Sequence, residues 1–288
     1  MCDEWTAADN EKLKRGVSRR EFGALAGAAG LVAMLPVAAN AQAVQSRDVR
    51  FTTPDGEADA YYVAPATGKH PAVLVWPDVM GMRPAFRQMA DRLAQSGYAV
   101  LTINPFYRSV KGQFLRPGES FGQPEVRAKI MPWRALLTPE AVTKDAVAAI
   151  GWLDKQAEVD VARGVGTTGY CMGGPFTMRT AAALPDRVRA GASFHGGGLA
   201  TDDADSPHLL VPSMKASYLV AVAENDDKRN PQEKERVRQA FADAKLPAEI
   251  EVYAGAMHGW TVPDSDAYNQ PQAEKAWSRL LALFEKAL

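Results

Sequence analysis

The chain has 288 residues, 47% of them hydrophobic and 23% charged, with 33 basic against 34 acidic side chains and a formal net charge of -1. That balance belongs to an ordinary globular fold, and the length is enough for one large α/β domain. There is no Lys/Arg run, basic stripe or interleaved aromatic set of the kind a polyanion partner requires, so no nucleic acid is expected.

Residues 1–17 are polar and charged, and Ser18-Arg19-Arg20-Glu21-Phe22 then leads into a mildly apolar run from Gly23 to Ala39. The run ends in Ala39-Asn40-Ala41 and Ala41-Gln42-Ala43, two small-x-small patterns. A charged segment, an apolar segment and a cleavage site in that order make a signal peptide over residues 1–43. The arginine pair before a weak apolar segment resembles a twin-arginine signal, so the twin-arginine export machinery is the expected partner and the periplasm or the exterior the destination. The apolar stretch is too short and too rich in Ala and Gly for a membrane span. Residues 44–288 are left as one domain, expected to be a monomer. Cleavage would remove Cys2, leaving Cys171 as a lone thiol in an exported chain, which is either buried and inert or reactive.

Two short strands, 49–53 and 58–64, flank the turn Pro54-Asp55-Gly56. The apolar run 71–76 reads as a buried parallel strand. A helix over about 84–96 carries Phe86, Met89, Ala90, Leu93 and Ala94 on one face, with Gly97 at its C-terminal cap. Residues 98–103 give another buried strand. From 104 to about 137 the pattern breaks into prolines, glycines and aromatics, including Phe106, Tyr107, Phe114, Phe121 and Trp133. A connection that long reads as a loop or cap beside a pocket, or as a plain excursion over the sheet. Helix 139–156, strand 163–168, a helix to about Ala183, strands 188–194 and 217–223, helix 231–244, strand 249–253 and helix 271–287 complete the chain. Strands alternating with helices imply an α/β fold, a mostly parallel sheet covered on both faces.

The chemistry concentrates at Gly169-Tyr170-Cys171-Met172-Gly173-Gly174, between a strand and a helix. This is the setting of a nucleophile elbow, a strained turn that lifts one side chain above the sheet. The usual serine is replaced by Cys171. Glycines two residues before and after it answer close approaches of the chain. A thiol at a helix N-terminus feels the positive end of the helix dipole, which favours thiolate. The alternative is a glycine-rich turn around an ordinary buried cysteine.

A strand-ending carboxylate and a loop histidine follow in the order an α/β-hydrolase uses. The carboxylate is one of Glu224, Asp226 and Asp227; the histidine is His258, in Met257-His258-Gly259-Trp260. His258 would take the thiol proton, and the acid would hold its tautomer and stabilise the imidazolium. His195 ends a strand on the same side and either lines the pocket or caps the strand. His70, before a strand, and His208, in a polar loop, rank lower. Trp76-Pro77-Asp78-Val79-Met80-Gly81 follows the first buried parallel strand, where this fold places one oxyanion-hole donor; Val79 N–H is the candidate, with Met172 N–H as the second. Asp78 would lie near the thiol, where a free carboxylate is repulsive, so it should be paired or keep the thiol neutral.

Gly-Tyr-Cys-Met-Gly-Gly, the downstream Asn-Asp and the final His-Gly-aromatic resemble the dienelactone hydrolase (carboxymethylenebutenolidase) family over roughly residues 48–288. The resemblance implies a single α/β-hydrolase domain without a cofactor. It also implies hydrolysis of lactones or activated esters through an acyl-thiol intermediate, and roles for Cys171, Asp226 and His258. Among the three carboxylates it favours Asp226. Two departures stand out. Asp78 matches a position that carries Glu in the best-known members. Of the two arginines that bind the substrate carboxylate there, Arg108 beside Tyr107 matches one with a one-residue offset. The other is absent from Gly259-Trp260-Thr261-Val262-Pro263. Half a carboxylate clamp points to a less acidic ester or lactone as substrate. Trp260 is a further supporting residue. Other outcomes of the same residues are a thioesterase, a peptidase, or a non-catalytic protein using Cys171 as a redox sensor.

Overall fold

The computed structural model describes residues 35–36 and 41–288. The signal-peptide reading therefore falls almost wholly outside the described residues. The first strand begins directly after it, as β1 (Val44–Thr53), turning at Pro54 and Asp55 into β2 (Gly56–Pro65). Both strands run longer than their apolar cores because the hairpin pairs along its whole length, from Val44↔Pro65 to Thr53↔Gly56.

The buried runs become β3 (Ala72–Trp76), β4 (Ala99–Ile103), β5 (Val165–Tyr170), β6 (Val188–Phe194), β7 (Ser217–Ala223) and β8 (Ala248–Tyr253). The eight strands form one sheet in the order β1-β2-β4-β3-β5-β6-β7-β8. The β1–β2 and β2–β4 pairs are antiparallel and every other pair is parallel. This is the mostly parallel α/β sheet the alternation implies.

The helices among the described residues are α1 (Pro84–Gln95), α2 (Pro124–Ala135), α3 (Pro139–Leu153), α4 (Gly174–Ala183), α5 (Glu224–Arg229), α6 (Pro231–Asp243) and α7 (Gln270–Ala287). Period-two alternation sends Val73 and Val75 of β3 to a core with Phe86 and Leu93 of α1 and Leu280 and Phe284 of α7. It sends Leu74 and Trp76 to the other core, with Val142 and Ile150 of α3, Met178 of α4 and Phe241 of α6. Local chemistry sets the helix ends. Pro84 and Pro139 sit in first turns, where a missing N–H costs nothing. The Thr138 hydroxyl accepts from Ala141 N–H at 3.2 Å. Gly97 takes φ +99° just beyond α1.

Two elements depart from the sequence reading. The connection 104–137 contains α2, hidden because it buries only Val126 and Ile130 and carries Pro132 inside it. A stripe that thin gives no readable helical period. The residues after β7, to which the sequence reading assigns no helix, wind at once into the short helix α5.

Candidate active site

β5 ends at Tyr170, and the next residue, Cys171, has φ +52°. A non-glycine residue in the left-handed region is strained by about 1–3 kcal/mol, and the surroundings must impose it. They do so by close contact. A Cβ at Gly169 would stand 2.0 Å from the Gly173 carbonyl oxygen, and one at Gly173 would stand 2.4 Å from that of Trp76. The turn can therefore fold back over the end of the sheet only with glycine at both positions. One short 3-10 turn (Cys171–Gly173) then leads into α4, so Cys171 sits at the N-terminal end of that helix.

Cys171 is 4% exposed, so its side chain is buried at the turn. Cys2, the other cysteine of the sequence, lies outside the described residues. Its removal with residues 1–43 would leave Cys171 as the lone thiol of the processed chain.

The three carboxylates after β7 separate cleanly. Glu224 accepts from Lys228 and from Gly255 N–H, and Asp227 pairs with Lys234. Asp226 is the one that reaches His258, with Oδ2 2.6 Å from Nδ1. Its neighbour Asn225 accepts the His258 backbone N–H through Oδ1 at 2.9 Å. Two consecutive residues of α5 therefore hold the histidine, one by its ring and one by its backbone. With Nδ1 occupied by a carboxylate, Nε2 is the nitrogen left for proton exchange.

His195 is drawn into the same site. Its ring lies edge-on to His258, with centroids 4.9 Å apart, and also meets Trp260 at 5.2 Å. It is 1% exposed, has φ +40°, and bonds Thr261 Oγ1 through Nε2 at 2.9 Å. Trp260 is fully buried, stacked on Tyr253 at 5.2 Å, and so walls the histidines from behind. Burial first, and then the nearby His258, hold the His195 imidazole well below its ordinary pKa, so it is neutral. The unfolded chain takes up this proton near pH 6.5 and the folded chain only at lower pH. The stability carried by neutral His195 is complete above about pH 6.5 and is lost as the pH falls toward its folded value. Melting curves between pH 7.5 and 5.5 should show a smaller acid loss in His195→Asn, a residue that tolerates φ > 0; an equal loss in both proteins would refute the assignment.

The loop after β3 lies against the elbow, as the approach of Gly173 to the Trp76 and Pro77 carbonyls shows. Within it, Met80 N–H donates to Asp78 Oδ1 at 2.9 Å and Gly81 N–H to the Asp78 carbonyl at 2.9 Å. Val79 N–H takes part in neither bond. Asp78 resolves to the paired state. Arg83 grips it with a two-toothed fork, Nη1 to Oδ1 at 2.7 Å and Nη2 to Oδ2 at 2.8 Å. The same guanidinium holds Asp264 through Nε at 2.6 Å and Nη2 at 2.9 Å. Arg83 is 5% exposed and ties the Val79 loop to the His258 loop. Sequence reasoning missed Arg83, Asp264 and Thr261, and gave no role to Asn225 of the Asn-Asp pair. Asn225 was adjacent to a candidate and Arg83 lies five residues after Asp78, but Arg83's other partner Asp264 and Thr261's partner His195 lie 181 and 66 residues away.

Tyr107 and Arg108 are not brought to the thiol. Arg108 binds both oxygens of fully buried Asp145 at 2.8 Å and Asp55 Oδ2 at 2.7 Å, and the Tyr107 hydroxyl bonds Asp145 and Thr53, each at 2.7 Å. The expectation that Arg108 receives a substrate carboxylate is corrected for this reason: its guanidinium neutralises an internal acid, which would be costly to strand.

A family model, the Dienelactone hydrolase family, matches residues 58–288. The carboxymethylenebutenolidase of Rhodococcus opacus is 26% identical over 226 residues, which is 77% of this chain and 83% of that protein. Among solved structures, a dienelactone hydrolase-like promiscuous phosphotriesterase from metagenomic libraries aligns with a TM-score of 0.70 at 22% identity, covering 85% of this chain and 99% of that one. The dienelactone hydrolase of Anabaena variabilis aligns at 0.61 and 18% identity, covering 85% and 99%. At those identities the structures speak for the fold alone.

Proposed function

Since this chain belongs to the dienelactone hydrolase family and is a lactone or ester hydrolase, we propose that it works through Cys171 as nucleophile, His258 as base and Asp226 as the orienting acid. The observation that carries this is the 2.6 Å Asp226–His258 contact at the same end of the sheet as a cysteine held at φ +52°. In the reduced enzyme His258 Nε2 takes the thiol proton, and the thiolate attacks the substrate carbonyl carbon. The oxyanion is received by Val79 and Met172 N–H. The C–O bond breaks, the leaving oxygen takes the proton from His258, and a thioester remains. Water then gives a proton to His258 and its oxygen to the acyl carbon. The thiolate leaves and takes that proton back from His258, and the acid is released.

The substrate proposed is a neutral ester or lactone. Val262 stands where a second arginine was expected, Arg108 is consumed by Asp145 and Asp55, and the cleft beside Met172 is largely apolar. The order of residues 18–43 supports export by the twin-arginine route to the periplasm. The exported protein should begin at Gln42 or Val44 and turn over neutral aryl esters in preference to dienelactone. A mature chain that retains Met1 defeats the export reading, and a strong preference for dienelactone defeats the substrate reading. One other reading is a redox sensor, with Cys171 at the N-terminal end of α4 as the reactive thiol. Peroxide titration followed by mass spectrometry, set against ester turnover, separates the two.

A further inference from the structure

A cleft of about 320 Å³, at the small end of the range for ligand pockets, lies beside Met172, the residue after Cys171. One wall is Met172 and Phe176, from the nucleophile turn and α4, with Gly197 beyond them; the other is Met131 and Leu137, from α2 and the residues after it. Arg134 is the one charged lining residue. α2 is held on its far side by an aromatic cluster, with Trp133 at 5.2 Å from Phe114 and 6.2 Å from Phe106. That anchoring leaves Met131 39% exposed on the cleft side, an apolar group without an internal packing role.

Resting on the hydrolase reading above, we propose that this cleft is an acyl subsite, which takes the flexible apolar arm of a short- to medium-chain carboxylic ester. Two features decide the arm. The leaving oxygen must receive its proton from His258, so it lies toward the His258 loop, yet no residue from 254–264 lines the cleft. The carbonyl oxygen points to Met172 N–H, which belongs to the cleft wall. The acyl chain is the part of the substrate that remains to fill it. Methionine on both walls suits a chain of variable shape, since its unbranched side chain adapts to what it contacts. The small volume sets an upper length and excludes a full lipid tail.

The test is a series of p-nitrophenyl acetate, butyrate, hexanoate, octanoate and palmitate, assayed on the reduced protein. Each methylene fully buried is worth about fourfold in kcat/KM. In a cleft open to solvent, hexanoate should exceed acetate by about tenfold, and palmitate should fall below the optimum. Met131→Asp, at an exposed position that does not threaten the core, should bring the hexanoate-to-acetate ratio down to about two. Leu137→Ser is the second variant and should lower the same ratio. A flat series in the native chain, or a ratio unchanged in both variants, overturns the subsite. Absence of turnover of every ester, acetate included, would instead remove the hydrolase reading on which it rests.

Discussion

Cys171→Ala is expected to reduce turnover of a small aryl acetate by at least about four orders of magnitude, the scale on which loss of a nucleophile acts. The fold should survive, because the side chain is small and the elbow is imposed by backbone contacts at Gly169 and Gly173 rather than by the sulfur. Wild type and variant are compared in reductant, which keeps the thiol available for attack. Mass spectrometry of the wild type with a slowly deacylating ester should show one added acyl group, and the variant none. Cys171→Ser should recover little, because a hydroxyl is far less acidic than a thiol and must lose its proton in a site built around a helix N-terminus. Undiminished activity in Cys171→Ala would remove the nucleophile assignment and leave His258 and Asp226 without a partner.

The second large effect is expected at Arg83. Arg83→Leu removes four charge-assisted hydrogen bonds and leaves Asp78 and Asp264 facing each other without a counter-charge. Breaking a buried pair from one side costs about 3–5 kcal/mol. For a domain of this size that lowers the melting temperature by roughly 10 °C. Activity should fall further than stability accounts for. Asp78 adjoins Val79, so freeing the fork loosens the proposed oxyanion donor, and loss of one such donor costs about 10²–10³ in kcat. The signature is a fall in kcat with KM little changed, measured well below the melting transition. Arg83→Lys should recover part of the stability but little of the rate, because an ammonium cannot reproduce two planar forks. Adding Asp78→Asn to Arg83→Leu removes one stranded charge and should raise the melting temperature again. A variant with native melting and native kcat would show that the bracket is incidental.

Both effects follow from residues that differ in how visible they are along the chain. Cys171 stands in a motif whose every member is within three residues, and each glycine has a steric reason that is local. The Arg83 bracket joins positions 181 residues apart. The nearby Asp78 called for a counter-charge that Arg83, five residues on, supplies, but nothing near Asp264 marks it as the second carboxylate of the same guanidinium. Arg108 shows the same limit from the other side. Its place beside Tyr107 suggested a substrate contact, and the acid that claims it, Asp145, lies on α3, 37 residues away.

The sequence by itself determined the α/β class, the strand-to-helix turn at Cys171 and the order of cysteine, carboxylate and histidine along the chain. These rest on short-range physics: period-two and helical burial, proline and glycine at helix ends, and the room a glycine leaves for a neighbouring carbonyl. The tertiary structure alone decided which of Glu224, Asp226 and Asp227 meets His258. It also decided that Asp78 is neutralised, that Arg108 serves an internal carboxylate, and that α2 walls the cleft. Those outcomes depend on which charges and apolar faces meet once the chain is folded. Hydrogen bonds and ion pairs act over a few ångströms in space, whatever the distance along the chain.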